Sequence, residues 1–148
     1  MKKLITAAVL ASVLLVNSAF ANKPNTTDYP VENTFKKEFS QAKEVSWQKA
    51  ENFYKAYFKL NDEYMTAYFS IEGEFLGVVH NILSTQLPIS LQASLKKSYE
   101  GYWISDLFEL AKPGSSSYYL TIQNADQTIT LESTNSSNWS VYSKTKKS

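Results

Sequence analysis

The chain holds one histidine, His80, and no cysteine, which narrows its chemistry at once. Serine-type hydrolysis needs a nucleophile, a base and a group that orients the base. His80 stands in the strand-like run VVHNI, and no serine lies in a GxSxG elbow or a comparable motif. Without cysteine there are no thiol nucleophiles, thiolate metal sites or disulfides. Two carboxylate pairs remain: Asp62 and Glu63 share one turn, and Glu72 and Glu74 flank Gly73 in another. Such pairs bind a hard cation only with further oxygen ligands at fixed intervals, as in DxDxDG, and these pairs stand alone. They read as solvated turns. No catalytic residue, metal site or cofactor is expected, and the protein is read as a non-enzyme.

The charge balance bears on partners. Fifteen basic residues, all lysine, face 14 acidic ones. Without arginine the chain lacks the planar fork that reads phosphates and bases bidentately, so no nucleic-acid partner is expected. At the N-terminus Lys2 and Lys3 precede an apolar run from Leu4 to Val16 and then Ala19-Phe20-Ala21. This is the pattern of a secretory signal over residues 1–21, cut before Asn22. The run is short for a bilayer span, so no stable membrane insertion is expected after cleavage, and the location is read as periplasmic or secreted.

The elements that must position any binding residue follow from periodicity. Residues 22–29 form a polar lead, read as flexible, and a single domain is expected over residues 30–148. Val31, Phe35 and Phe39 recur every four residues, the spacing of one helix face. Alternation then marks strands at 45–48, 54–60, 64–69 and 75–82, joined by turns at Asn61-Asp62 and Glu72-Gly73. The pattern begins again: Leu91, Leu95 and Tyr99 define a second helix, with TFKKEF and SLKKSY in register 60 residues apart. Strands follow at 102–110, 117–122, 128–133 and 139–143. The expectation is a two-layer α+β fold. It is read as a tandem repeat of a helix plus about four antiparallel strands, with halves 30–84 and 85–148 and the helices on one face of the sheet.

The two-residue period divides the strand residues between faces. With Tyr54, Ala56, Phe58, Met65, Ala67 and Phe69 towards the helix, Phe53, Tyr57, Tyr64 and Tyr68 point away. Tyr118, Leu120 and Ile122 go inward and Tyr119 outward. Tyrosine suits a surface that is wet when free and dry when bound, because its ring gives area and its hydroxyl keeps a polar contact. Cross-strand aromatic pairs that merely stabilise the sheet give the same pattern.

Phe35 and Phe39 on the first helix, VSW at 45–47, YKAYF at 54–58, YMTAYFSIEGEF at 64–75 and Leu87-Pro88 before the second helix carry a resemblance. The mature chain resembles the PepSY-like exported proteins of Bacteroidetes, whose fold is similar to that of the β-lactamase inhibitor protein. In the second half TNSSNW at 134–139 replaces the EGEF turn. The resemblance implies two similar halves, no known reaction, and an open sheet face that docks another protein. We therefore expect a protein- or peptide-binding module whose helix-free face presents Phe53, Lys55, Tyr57, Tyr64, Tyr68 and Tyr119, a second copy of the chain being one candidate occupant. The alternative is an inhibitor or chaperone of an exported peptidase, acting through the Asn61–Glu63 and Glu72–Glu74 turns.

Overall fold

The computed structural model describes residues 27–148. The expected signal over residues 1–21, and the lead as far as residue 26, lie outside the described residues. Helix α1 (Tyr29–Glu38) follows Asp28 and carries Pro30 in its first turn, where a missing N–H leaves no hydrogen bond unmade. Glu32 lies in the first turn and Lys36 and Lys37 in the last, the order that complements the helix dipole. The fold begins before Pro30: the Tyr54 hydroxyl donates to the Asp28 carboxylate at 2.6 Å. Lys49 lies 3.6 Å from the same carboxylate, whose pKa is held below the usual value mainly by the Tyr54 bond.

Four strands follow: β1 (Lys43–Lys49), β2 (Phe53–Leu60), β3 (Glu63–Ser70) and β4 (Phe75–Asn81). A short 3-10 turn (Ser84–Gln86) leads to helix α2 (Ile89–Ser98). The chain then forms β5 (Trp103–Lys112), β6 (Ser115–Gln123), β7 (Gln127–Ser133) and β8 (Ser140–Lys146). The connections are local. Asn61 and Asp62 both take positive φ, 51° and 66°, as a two-residue turn between right-twisted strands requires. At the β6–β7 turn the Asn124 side chain accepts from the backbone N–H of Asp126 and Gln127, and at β7–β8 Asn135 accepts from Ser137 and Asn138.

The tandem-repeat expectation needs correction. All eight strands of the described residues join in one antiparallel sheet in the order β1 to β8, so the described residues form a sheet-dominated α+β fold with two helices rather than two repeated helix-plus-four-strand units. The two halves read from sequence are fused where β4 pairs with β5, from Val78 opposite Ala111 to Asn81 opposite Phe108. The physical reason is the strand edge. An unpaired β4 would leave a row of N–H and C=O groups open, and β5 satisfies them. Matching helix registers reports only that each helix covers part of a sheet, and carries no information about where that sheet ends.

Both helices pack on the same side. α1 buries Val31 and Phe35 against Tyr54, Ala56, Phe58, Ala67 and Phe69. α2 buries Leu91 against Leu107, Leu120, Ile122, Ile129 and Leu131. Cross-strand register carries this face through the junction, from Met65 to His80, Glu109 and Tyr118. A third cluster, Tyr68, Leu110 and Tyr119, lies on the other face and draws on β3, β5 and β6 together.

Candidate functional site: the helix-free sheet face

No element of the described residues covers the face opposite the helices, yet side chains there are well packed. Tyr68 is 6% exposed and Tyr119 is 7% exposed. They are sheltered by Leu110 and by partly buried Phe53, Leu76, Val79 and Phe108. The Phe108 and Tyr119 rings stack at 5.2 Å and 16°, and Tyr142 meets Tyr119 edge-on at 6.0 Å. Phe53 tilts onto Tyr68 at 6.1 Å. Gly77, opposite Tyr68, is part of this packing: a Cβ there would come within 3.0 Å of the Ala111 carbonyl oxygen and 3.2 Å of a Leu110 methyl.

The residues singled out in the sequence fall into three groups. Phe53, Lys55 and Tyr57 form a row along β2, with Tyr57 40% exposed and donating to Gln48 Oε1 at 2.9 Å. Tyr68 and Tyr119 form the buried floor of the face, not its accessible surface. Tyr64 sits apart at the strand ends, 70% exposed, beside a hollow of about 460 Å³ that it lines with Asn81, Leu83 and Gln86. The sequence reading missed Val79, Phe108, Leu110 and Tyr142. A usable signal existed for two of them: in LFEL, Leu107 and Glu109 alternate with Phe108 and Leu110, and once Leu107 is set inward the other pair must point out. Tyr142 was hidden by a register shift between Thr130 and Leu131.

Burial shapes the titration of this face. It pushes the Tyr68 phenol up to about 12, with Tyr57 adding to the effect. Tyr119 is raised by burial, then by its 2.5 Å bond to the Glu132 carboxylate and by Tyr142. A phenol whose folded-state pKa is raised contributes stability that is complete below its unfolded value near 10. That contribution is lost as pH rises through the folded value. We predict that a fraction of the ten tyrosines ionises only well above pH 10 by ultraviolet difference absorbance, that this late phase shrinks in Tyr68→Phe, and that it vanishes in concentrated urea. One unresolved step in the folded protein, matching that in urea, would contradict the packing described.

His80 lies elsewhere, on the helix side. Its Nε2 is 3.2 Å from Glu109 Oε2, and its Nδ1 is 3.6 Å from Glu63 Oε2. This links β3, β4 and β5. No hydroxyl nucleophile hydrogen-bonds to the ring among the described residues, so the arrangement reads as a cross-strand polar bridge. The turn acids are separate from it: Asp62 pairs with Lys59 at 3.2 Å, and Ser70 Oγ accepts from the backbone N–H of Glu72 and Glu74.

These observations define a class of protein by fold: an eight-stranded antiparallel meander with two helices on one face and an uncovered aromatic cluster on the other. Several solved structures share the backbone fold. A DUF2874 family protein from Bacteroides ovatus ATCC 8483 has a TM-score of 0.72 at 16% identity, over 82% of this chain and 89% of that one. A BLIP-like protein from Bacteroides fragilis NCTC 9343 has a TM-score of 0.71 at 14% identity, over 82% and 87%. A candidate periplasmic protein from Bacteroides eggerthii DSM 20697 has a TM-score of 0.70 at 13% identity, over 82% and 90%. At these identities the likeness establishes the fold. The resemblance read from sequence is thus met in part, since these neighbours carry DUF2874 and BLIP-like names and none is named PepSY-like. No family profile matches the chain, and no curated protein matches its sequence.

Proposed function

We propose that the chain is an exported, non-enzymatic module that binds another protein through the helix-free face of its sheet. The observation that carries this reading is the aromatic and aliphatic cluster around Tyr68, Leu110 and Tyr119, packed to near-burial on a face that no described element covers. Surfaces of this composition, with tyrosine and phenylalanine central and charge at the rim, are typical of protein interfaces. The solved neighbours support the same reading: one is named BLIP-like and another a candidate periplasmic protein. The signal read over residues 1–21 supports export, and no helix among the described residues is long and apolar enough to cross a membrane.

The sheet face is favoured over the hairpin turns by the state of the turn residues. Asp62 is engaged by Lys59, and the Glu72–Glu74 turn is braced from within by Ser70 and against Pro30. The test uses exposed residues that flank the cluster on the same face. Tyr57 and Tyr142 are 40% and 37% exposed, so Tyr57→Ser with Tyr142→Ser removes contact area without opening the core. The double variant is expected to melt within a few degrees of the parent. It should also lose every partner that the parent retains from periplasmic extract. Retention of those partners by a folded double variant would remove this face from the account.

A further inference from the structure

Lys55 borders the aromatic cluster of this face and has no counter-ion among the described residues. It is half-buried in mid-β2, between Gln48 of β1 and Tyr68 of β3. Its Nζ stands 5.7 Å from the centre of the Phe53 ring and 5.9 Å from that of Tyr68. Burial lowers its pKa from the usual lysine value. No carboxylate lies within ion-pair distance of it among the described residues, although Lys36, Lys49 and Lys59 each have one. The aromatic faces compensate a buried ammonium only in part.

Lys112 is a second such cation. Its Cγ lies 3.2 Å from where a Cβ on Gly77 would stand, which places it on the same face, and it too has no ion pair among the described residues. Glu132 and Asp106 accept from neutral groups, Tyr119 and Asn81, and keep their charge, but they belong to the Asn81–Phe108–Tyr119 end of the face. The row that runs from Lys55 across Tyr68 and Gly77 to Lys112 carries positive charge, and it borders the apolar patch of Phe53, Leu76 and Val79.

We infer that the face receives an acidic segment of a partner protein, with one carboxylate near Lys55, another near Lys112, and an apolar side chain between them over Phe53, Leu76 and Val79. The spacing follows from the sheet. β2 and β5 are three strand separations apart, about 14 Å, which an extended chain spans in about four residues. Side chains an even number of residues apart on an extended segment point to the same side, so both acids meet the face together. Lysine presents a point charge rather than a planar fork, which suits a carboxylate approached end-on.

This inference rests on the proposed binding face, and the test separates the two. A random peptide library is selected on the immobilised protein, and a synthetic peptide of the enriched sequence is titrated against the parent, Lys55→Met, and the Tyr57→Ser and Tyr142→Ser double variant. Methionine keeps the aliphatic stem and removes the charge, and a melting curve confirms that the variant folds. The expected result is enrichment of Asp or Glu pairs about four residues apart around an aromatic or aliphatic residue. Affinity should fall about tenfold or more in Lys55→Met, and should weaken with salt in the parent. Enriched peptides that lack acids, bind Lys55→Met as well as the parent and fail only on the tyrosine variant would overturn the inference and leave the face standing. No enrichment, or binding indifferent to both variants, would overturn both. Self-association abolished by the tyrosine variant, with no peptide enriched, would assign the face to a second copy and also overturn the inference.

Discussion

Phe35→Ala is expected to lower the unfolding free energy by about 3–5 kcal/mol, the range for deleting a buried aromatic ring. Phe35 is 5% exposed and is the hub of the α1 layer. Its ring meets Phe58 edge-on at 5.1 Å and Trp47 at 5.2 Å, and contacts Phe39 at 5.4 Å and Phe69 at 6.1 Å. Each edge-to-face pair adds about 0.5–1.5 kcal/mol beyond area burial, and four neighbouring rings cannot all close on the void an alanine leaves. Domains of this kind are stable by only about 5–15 kcal/mol, so one substitution removes a large share. Urea unfolding should show a lower midpoint at an unchanged slope. A loss below about 1 kcal/mol would mean that α1 does not rest on the sheet as described.

The second large effect is expected at the β3–β4 turn. Gly73 has φ of +92°, a conformation that residues with a Cβ rarely adopt. A Cβ there would also stand 2.9 Å from the Pro30 carbonyl carbon and 3.0 Å from the Pro30 oxygen. Those are backbone atoms in the first turn of α1 and cannot rotate away. Gly73→Ala therefore combines backbone strain with displacement of the helix start, together about 2–4 kcal/mol. Gly114 supplies the control, since it has φ of +78° with nothing within 4 Å of the added methyl. Gly114→Ala should show the strain alone, about 1–2 kcal/mol. Equal losses at both glycines would show that the turn does not brace α1.

Much of this architecture was legible because its signals are local. The spacing of Val31, Phe35 and Phe39, and of Leu91, Leu95 and Tyr99, records the two helix faces, and all but Phe39, Leu95 and Tyr99 of these are buried. The alternation in YKAYF records which β2 residues meet α1. β8 was read only as far as Ser143 and runs to Lys146, because SVYSKTK is exposed at every position and an edge strand with both faces wet has no hydrophobic period. The pairing of β4 with β5 was illegible for a different reason. It is a contact between strands separated by a helix, and no residue type in VVHN or LFEL marks a partner.

The same gap explains the candidate face. Strand parity correctly sends Tyr68 and Tyr119 away from the helices, but their burial depends on Leu110, Val79 and Phe108 arriving from β4 and β5. Residues chosen as accessible contacts are therefore the floor on which contact is made. The accessible layer includes Tyr57, Tyr142 and the half-buried Phe53, Lys55, Leu76, Val79 and Lys112. Unpaired charge is likewise invisible in one dimension. Lys55 and Lys59 look alike in YKAYFKL, and only the folded chain shows that Lys59 has an acid partner and Lys55 has none among the described residues.

The central claim is that a protein partner touches the helix-free face and not the helices. The most direct measurement is photo-crosslinking in the intact exporting cell, with a photoreactive residue placed singly at Tyr57 or Tyr142 on one face, or at Lys37 or Lys97 on the outer sides of the two helices. The account predicts crosslinked species of one common mass from both face positions and none from either helix position. Crosslinks from the helix positions alone, or the same species from all four, would contradict it.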